Sequence, residues 1–497
     1  MADDTADQAD DSGLLLAAEE CPRDEFEKYH SFAKYERAII QRIIAHGPVL
    51  LRGGRGSGKS ALLIESFLQM KRDYASSVLP VYISLRRLPL LRTEGTEYQG
   101  HLCEILSMEI HKELRRTELG TFPITKDVGA LLQALEENAR VLNRRIVLLF
   151  DDAAHIGRER PLEDFFDIFR TISTSRISCK ASIYPGVTKF GLRFDVFNDA
   201  TVIDISRDER KDDFHEIFVE ITRKRFPQIA KKVVSSRSLD ELSFGKIMGR
   251  AVTGNLRSFV FACNLMQENA AIGFNELTRC LLELSANYFW PLLDEVAPKL
   301  GSYEVLVPPS EQVAHLIFTA CARRGATYVL VHRDIMQRQS KIFEILEYTG
   351  FISKREASRA MKSGGRGVVY SVNLCNLLEM TVGRRLTSEL ASQWTRTTEE
   401  AYELRYTNNE FAKIEIPAPA LDERDLAILS KPISILKKSP TYPYGLTEDK
   451  VERLENAGLT TIKDVAEAED NTILAINMVG KASLKRIKDV VYQAIWM

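Results

Sequence analysis

Gly53-Gly54-Arg55-Gly56-Ser57-Gly58-Lys59-Ser60 follows an apolar run, Pro48-Val49-Leu50-Leu51, and opens into Ala61-Leu62-Leu63-Ile64-Glu65-Ser66-Phe67-Leu68. The order is strand, glycine-rich loop, helix, with the spacing G-x-x-x-x-G-K-S. Glycines let successive backbone N–H groups turn inward and approach phosphate oxygens. The helix that follows offers its positive N-terminal end to the same phosphates. Gly53, Gly54, Arg55, Gly56, Ser57, Gly58, Lys59, Ser60 and Ala61 are therefore the expected nucleotide-binding set. Within it, Lys59 reaches the β- and γ-phosphates and Ser60 ligates Mg²⁺. The competing reading, a glycine-rich turn with no ligand, does not account for the complete motif.

The partner of such a loop is an acid at the end of a buried strand. Arg145-Ile146-Val147-Leu148-Leu149-Phe150 ends in Asp151-Asp152. A buried parallel strand delivers a carboxylate from its C-terminal end, where α/β sheets place ligands. Asp151 is the expected metal ligand, with Ser60. Asp152 is expected to orient or deprotonate the attacking water.

Two further apolar runs, Leu79–Leu85 and Cys179–Tyr184, and the segment Thr201–Ile205 read as strands. With the two motif strands they predict a five-stranded parallel sheet, alternating with helices at about 101–114, 126–142 and 161–172. A helix over Phe26–Ala45 is expected ahead of the first strand, from the spacing of Tyr29, Phe32, Tyr35, Ile39, Ile40, Ile43 and Ile44.

Composition bounds the rest. A chain of 497 residues is too long for one compact domain. Its 67 basic and 69 acidic residues nearly cancel, so only local patches bear on nucleic acid. The seven cysteines are an odd number with no C-x-x-C pair, which argues against a disulfide framework and a zinc site. No apolar run approaches the ~18 residues that span a bilayer. No basic, then apolar, N-terminal signal is present. A cytoplasmic protein without a membrane partner is the expectation.

Residues 1–22 form an expected acidic, disordered tail, with seven acids and no base in the first twenty positions. The nucleotide core is expected over 23–206 and an all-helical lid over 207–300. The lid contains Thr253-Gly254-Asn255-Leu256-Arg257. Helices followed by a basic hairpin predict a winged helix over 301–380. Its wing carries Lys354, Arg355, Arg359, Lys362 and Arg366 against one acid, Glu356. Arg355, Arg359, Lys362 and Arg366 are the expected DNA contacts there. A helix from Arg384 to Tyr406 and a proline-marked linker fill 381–440. The segment 441–497 reads as short helices joined by tight turns.

That last segment resembles the helix-hairpin-helix domain at the C-terminus of the bacterial RNA polymerase α subunit. The matching stretches are Leu454–Val465 and Val479–Ile487. The resemblance implies that Gly480, Lys481, Ser483 and Lys485 meet a DNA backbone. In the first helix, however, Asp449 and Glu452 stand where the family turns an arginine and a polar residue to the minor groove. Carboxylates there repel phosphates, which leaves a protein partner at this domain as the alternative.

Over residues 25–380 the layout resembles the Orc1/Cdc6-like branch of AAA+ ATPases, close to the STAND switch ATPases. The resemblance rests on the phosphate loop, the Asp151-Asp152 pair, the lid arginine and the winged helix. It implies ATP and Mg²⁺ as cofactors and Arg257 as a catalytic arginine reaching the γ-phosphate. It implies Ser182 or Tyr184 at the γ-phosphate sensor position and Arg170 or Arg176 as a finger toward a neighbouring subunit in a homo-oligomer. The expected activity is slow ATP hydrolysis in a switch whose nucleotide state controls DNA binding or assembly. The other class is a signalling or defence scaffold ATPase whose C-terminal domains bind protein.

Overall fold

The computed structural model describes residues 18–86, 90, 93–153, 160–187, 190–191, 193–234, 239–396, 398, 400–418, 427–439, 442 and 445–496. Most of the acidic tail, residues 1–17, lies outside the described residues, as do Pro419, Pro440 and Pro443 of the linker.

Five strands form one parallel sheet: β1 (Val49–Arg52), β2 (Val78–Ser84), β3 (Arg145–Asp151), β4 (Ile177–Ile183) and β5 (Thr201–Asp204). Their order is β2-β3-β4-β1-β5, and every pairing is parallel. β3 and β4 are buried almost end to end because helices cover both faces of the sheet. The helices are α1 (Lys34–Ile44), α2 (Lys59–Asp73), α3 (Gly95–Arg116), α4 (Val128–Leu142) and α5 (Arg160–Ile172). α4 begins where Asp127 accepts from the Ala130 N–H at 2.7 Å, an N-cap that fixes its first turn. The register β3–β4 and β1–β4 brings Asp151, Ser182 and the loop after Arg52 to one edge of the sheet.

The segment before β1 differs from the single helix expected. A short turn of helix at Phe26–Tyr29 stops, and α1 starts afresh at Lys34. Glu36 explains the restart, since its Oε2 accepts from the Ala33 N–H at 2.8 Å and terminates the chain's extended approach.

Helices follow β5 up to the 300s, with one π-turn at Ser285–Phe289. Among them are α6 (Leu256–Met266), capped by Asn255, and α7 (Trp290–Val296). Next comes a helix–strand–helix–hairpin unit: α8 (Val307–Arg324), β6 (Tyr328–His332), α9 (Arg333–Thr349), β7 (Ile352–Ala360) and β8 (Arg366–Val372). α9 is two helices joined at a kink at Gln339, whose φ and ψ are −130° and 25°. β7 carries the basic stretch from Lys354 to Arg359 as the first strand of the hairpin. Two register shifts interrupt its pairing with β8, which hid its alternation in the sequence. The helix expected over Arg384–Tyr406 is shorter, Ser388–Thr395, and gives way to β9 (Tyr402–Leu404), which pairs in parallel with β6.

One apolar cluster runs through the sheet's α3–α5 face, the lid, the α8–β8 unit and on to Phe411. The opposite face of the sheet packs on α1 and α2. A separate cluster holds the C-terminal helices, ending in α10 (Lys481–Trp496). It includes Ile428, Leu429, Ile433 and Leu436, so it begins ahead of residue 441, inside the segment expected to be linker. Among the described residues, no helix is long and apolar enough to cross a membrane.

Candidate functional site: the pocket at the glycine-rich loop

The loop between β1 and α2 turns at Gly56 and Gly58, where φ is +76° and +93°. Gly56 is also pressed against the lid: a Cβ there would lie 2.5 Å from Asn255 Oδ1 and 2.6 Å from Arg257 Cβ. Only glycine satisfies both demands. The loop's amides and the N-terminal turn of α2 face a pocket lined by Gly56–Ala61, Arg86, Asp152, Tyr184 and Arg257. At its other end Tyr29, His30, Phe32, Ile221 and Val260 supply an apolar wall suited to a base. Ser57 Oγ is buried with no hydrogen-bond partner among the described residues, a donor left over for a ligand.

Lys59 is buried and folded back. Its Nζ donates to the carbonyls of Gly53 at 2.7 Å and Gly54 at 3.0 Å, and lies 4.2 Å from the Tyr184 ring centre. Burial lowers its pKa to about 8, with Arg257 adding to the fall and Asp152 and Asp151 opposing it. A phosphate in this pocket gives the ammonium an anionic partner in place of two carbonyls.

Asp151 ends β3 and Asp152 follows it, in different surroundings. Asp151 is fully buried. Tyr82 Oη donates to its Oδ2 at 2.6 Å, and Ser182 Oγ donates to its Oδ1 at 2.7 Å. Burial, with the charges of Asp152 and Glu19, pushes its carboxyl up to about 7. Asp152 takes a left-handed backbone, φ +54°, which turns its side chain into the pocket. Arg86 Nε donates to its Oδ2 at 2.5 Å and Tyr184 Oη to its Oδ1 at 3.0 Å. The expected sensor pair therefore divides: Tyr184 lines the pocket, while Ser182 is spent on Asp151 and the Asp152 N–H.

The carboxylates of Glu19, Asp151 and Asp152 lie within 4.8 Å of one another, and Ser60 lines the same pocket beside Glu19. All of these are hard oxygen donors, and the crowded negative charge calls for a small divalent cation. Ser60 and Asp151 thus fit Mg²⁺. Glu19 and Arg86 were not among the expected residues. Arg86 directly follows the strand run Leu79–Leu85, at the ligand end of the sheet, and that position was the available signal. Glu19 lies in a segment that composition marks only as acidic.

The loop is also gripped from outside. Asn255 Nδ2 donates to the Arg55 carbonyl at 2.6 Å, and the Arg55 N–H donates to the Tyr348 carbonyl of α9 at 3.2 Å. Arg55 Nη2 meets Glu295 of α7 at 3.0 Å, and Lys299 meets the same carboxylate at 2.9 Å. Arg207 donates to the Ser57 carbonyl at 2.9 Å and pairs with Glu36 of α1. Arg257 lines the pocket, and its main-chain N–H donates to the Gly56 carbonyl at 3.4 Å. Of the expected finger residues, Arg170 is held by Asp199 at 3.4 Å, and Arg176 is exposed beyond the pocket.

The expected DNA contacts separate. Arg355 is corrected: its side chain is wholly buried and its Nη2 bonds Glu209 at 2.6 Å, so it joins the hairpin to the lid. Burial works against Glu209, but Arg355 and Arg250 hold its carboxyl far below the usual range. Arg359 pairs with Glu356, and Glu356 also takes Arg210 at 2.6 Å. Lys362 and Arg366 are exposed on the hairpin, where Arg366 Nε donates to Ser358 Oγ at 2.7 Å. In the C-terminal helices Gly480, Lys481 and Lys485 are exposed at the start of α10, with Ser483 half-buried beside them. Asp449 is drawn aside by Arg453 at 2.7 Å, and Arg453 in turn donates to the Asn477 carbonyl at 2.9 Å.

No family model matches the chain, and no curated protein matches it. Among solved structures it is similar to Aeropyrum pernix ORC1 in complex with DNA, at 12% identity over 71% of this chain and 93% of that one, with a TM-score of 0.33. It is similar to Drosophila ORC bound to DNA, at 12% identity over 78% and 95%, with a TM-score of 0.33. Domain III of the Thermotoga maritima replication initiation protein DnaA is 15% identical over 54% and 95%, with a TM-score of 0.29.

Proposed function

We propose that the chain is an ATP-binding, slowly hydrolysing switch ATPase of the AAA+ type, associated with DNA. One observation carries the reading. The phosphate loop is bonded at Arg55 to the lid on one side and to α9 on the other, so a loop reshaped by a triphosphate cannot leave both contacts as they are. The unit from α8 to β8 is read as a winged helix. Its second helix lies against the loop, and its hairpin is fastened to the lid through Arg355 and Glu209.

The residues divide the work as follows. The amides of Gly56–Ser60 and the N-terminal turn of α2 take the β- and γ-phosphates. Lys59 moves its ammonium from two carbonyls to phosphate oxygens. Mg²⁺, held by Ser60 and Asp151, would neutralise charge on the triphosphate. Asp152 orients the attacking water and accepts its proton. Arg86 and Tyr184 both donate to the Asp152 carboxylate, which must part from one of them before it can take the water's proton, and slow turnover follows. Arg257 adds positive charge from the lid, so hydrolysis depends on lid closure.

DNA is gripped by Lys362 and Arg366 on the hairpin and by Gly480, Lys481, Ser483 and Lys485 at the start of α10, with Arg359 once it parts from Glu356. The test is a salt-dependent mobility shift with and without Mg-ATP. Affinity is expected to fall steeply with salt and to weaken in Lys362→Ala/Arg366→Ala. The second reading, a scaffold ATPase with protein partners at its C-terminal domain, is favoured by Arg355, whose burial removes one cation from the wing. Under that reading no shift appears at any salt concentration.

A further inference from the structure

The end of the pocket that receives the γ-phosphate is filled by the chain itself. Ala18 and Glu19 line it beside Gly56–Ser60, Arg86 and Asp152. With them in place the cavity is about 110 Å³, far below the roughly 300–1,000 Å³ of ligand clefts. The Glu19 carboxylate accepts from Arg86 Nη2 at 3.4 Å, lines the pocket beside Ser60, and lies within 4.8 Å of the carboxylates of Asp151 and Asp152. An arginine, the hydroxyl of the phosphate loop and the acid pair of β3 are the neighbours a γ-phosphate would have. Three carboxylates this close repel one another. Arg86 holds them together from the middle, with its Nε on Asp152 at 2.5 Å and its side chain only 13% exposed.

We propose that Arg86 is a catalytic residue of ATP hydrolysis, an arginine supplied in cis to the γ-phosphate, and that Glu19 is its intramolecular placeholder, which leaves when ATP enters. The inference rests on the ATPase reading above. In the reaction, the water oxygen bonds to the γ-phosphorus as the bond to the β–γ bridging oxygen breaks, and ADP keeps that electron pair. The water proton passes to Asp152 and then to solvent, leaving ADP and inorganic phosphate. Charge grows on the bridging oxygen and spreads over the γ-phosphoryl oxygens, where a guanidinium stabilises it. Arg86 keeps its protons throughout. When Glu19 departs, Arg86 gains a phosphate partner and the pocket gains the volume that residues 18–19 occupied. Entry of ATP and activation of the arginine are thereby one event. ADP, which lacks the γ-phosphate, does not compete with Glu19 for Arg86.

The experiment uses the full chain, with calorimetry for Mg-ATP and Mg-ADP and single-turnover phosphate release. Glu19→Gln should bind Mg-ATP about tenfold tighter or more, a gain of ~1.4 kcal/mol. It should change Mg-ADP affinity by less than Mg-ATP affinity, since ADP brings no γ-phosphate for the Glu19 charge to repel. Arg86→Ala should lose about 10³-fold or more in hydrolysis, the scale of a supplied arginine, while retaining ADP affinity. Added guanidinium ion should restore part of that rate, which a merely structural arginine would not allow. Wild-type turnover in Arg86→Ala, a loss that guanidinium does not relieve, or unchanged ATP affinity in Glu19→Gln overturns the proposal. Should Arg86→Ala fail to fold, Glu19→Gln still decides, because it keeps the arginine in place. Absence of any Mg-ATP heat in the wild type sinks the ATPase reading itself, and is thereby distinguished from failure of the Arg86 assignment.

Discussion

The main-chain N–H of Arg55 donates to the carbonyl of Tyr348 at 3.2 Å, so the phosphate loop is hydrogen-bonded to the last turn of α9. The contact is tight. A Cβ on Gly54 would lie 3.0 Å from the Glu347 carbonyl oxygen, and Tyr348 stacks edge-on against Tyr184 with ring centres 5.0 Å apart. The loop therefore has a second backbone as its outer wall. Gly54→Ala should push α9 off the loop at a cost of about 1–3 kcal/mol. Hydrogen exchange at residues 53–58 and 345–350 should rise together in this variant. Gly100→Ala is the control: it sits in α3, its added Cβ would meet the nearest atom at 3.7 Å, and it should leave exchange at the loop unchanged.

Lys59→Ala removes the one ammonium inside the loop and its bonds to Gly53 and Gly54. Calorimetry should show Mg-ATP binding weakened by at least ~10²-fold, about 3 kcal/mol, the strength of a charge-assisted contact to phosphate. Full retention of affinity would place the nucleotide elsewhere.

Asp152→Asn should keep nucleotide binding and stop turnover, because an amide matches the carboxylate in shape but is no base. Arg86 and Tyr184 both donate to Asp152, and the Asn side-chain oxygen can still take one of them. Loss of hydrolysis of about 10²-fold or more with unchanged ATP affinity is expected. A variant that hydrolyses normally would assign the water to another group.

The sheet was legible because its strands are short apolar runs punctuated by glycine and proline, and the phosphate loop named the first of them. Asp151 and Asp152 were legible for the same reason, since each ends a run that only a buried parallel strand explains. Arg355 was not. In the sequence it is one cation among five, and nothing local reveals that Glu209, far away in the chain, neutralises it. β7 was obscured by its register shifts, and β6 by its length of five residues. Glu19 shows the limit most clearly. Composition marks residues 1–20 as solvating, while the pocket takes one of those acids and sets it against a matched arginine beside the phosphate loop.

Arg355→Ala and Lys362→Ala should behave as opposites. Arg355 is buried against Glu209, and removing it leaves that buried carboxylate with only Arg250, at 3.8 Å, at a cost of about 3–5 kcal/mol. Its denaturant midpoint should fall markedly. Lys362 is exposed, so its removal should leave stability within about 0.5 kcal/mol. If the hairpin contacts phosphates, Lys362→Ala should lower the salt slope of DNA binding by about one. Equal stability of the two variants would contradict the buried pairing of Arg355.

Acid should release the clasp from the lid side first. Glu295 of α7 is buried with Arg55 and Lys299 on its carboxylate, and Tyr442 of the C-terminal segment lies near enough to feel its charge. Burial alone would raise its carboxyl, but Arg55 and Lys299 overcome this and lower it from 4.5 to about 2. A carboxyl lowered on folding stabilises the folded state fully above its unfolded value. That contribution is lost as pH falls from about 4.5 toward 2. At about 1.4 kcal/mol per unit, the loss is on the order of 3 kcal/mol. Hydrogen exchange at Arg55 and across α7 should accelerate through this window in the wild type. Glu295→Gln should show fast exchange already at neutral pH and little further change on acidification. A wild-type loop equally protected at pH 6 and pH 3 would mean that the Arg55–Glu295 pair does not hold it.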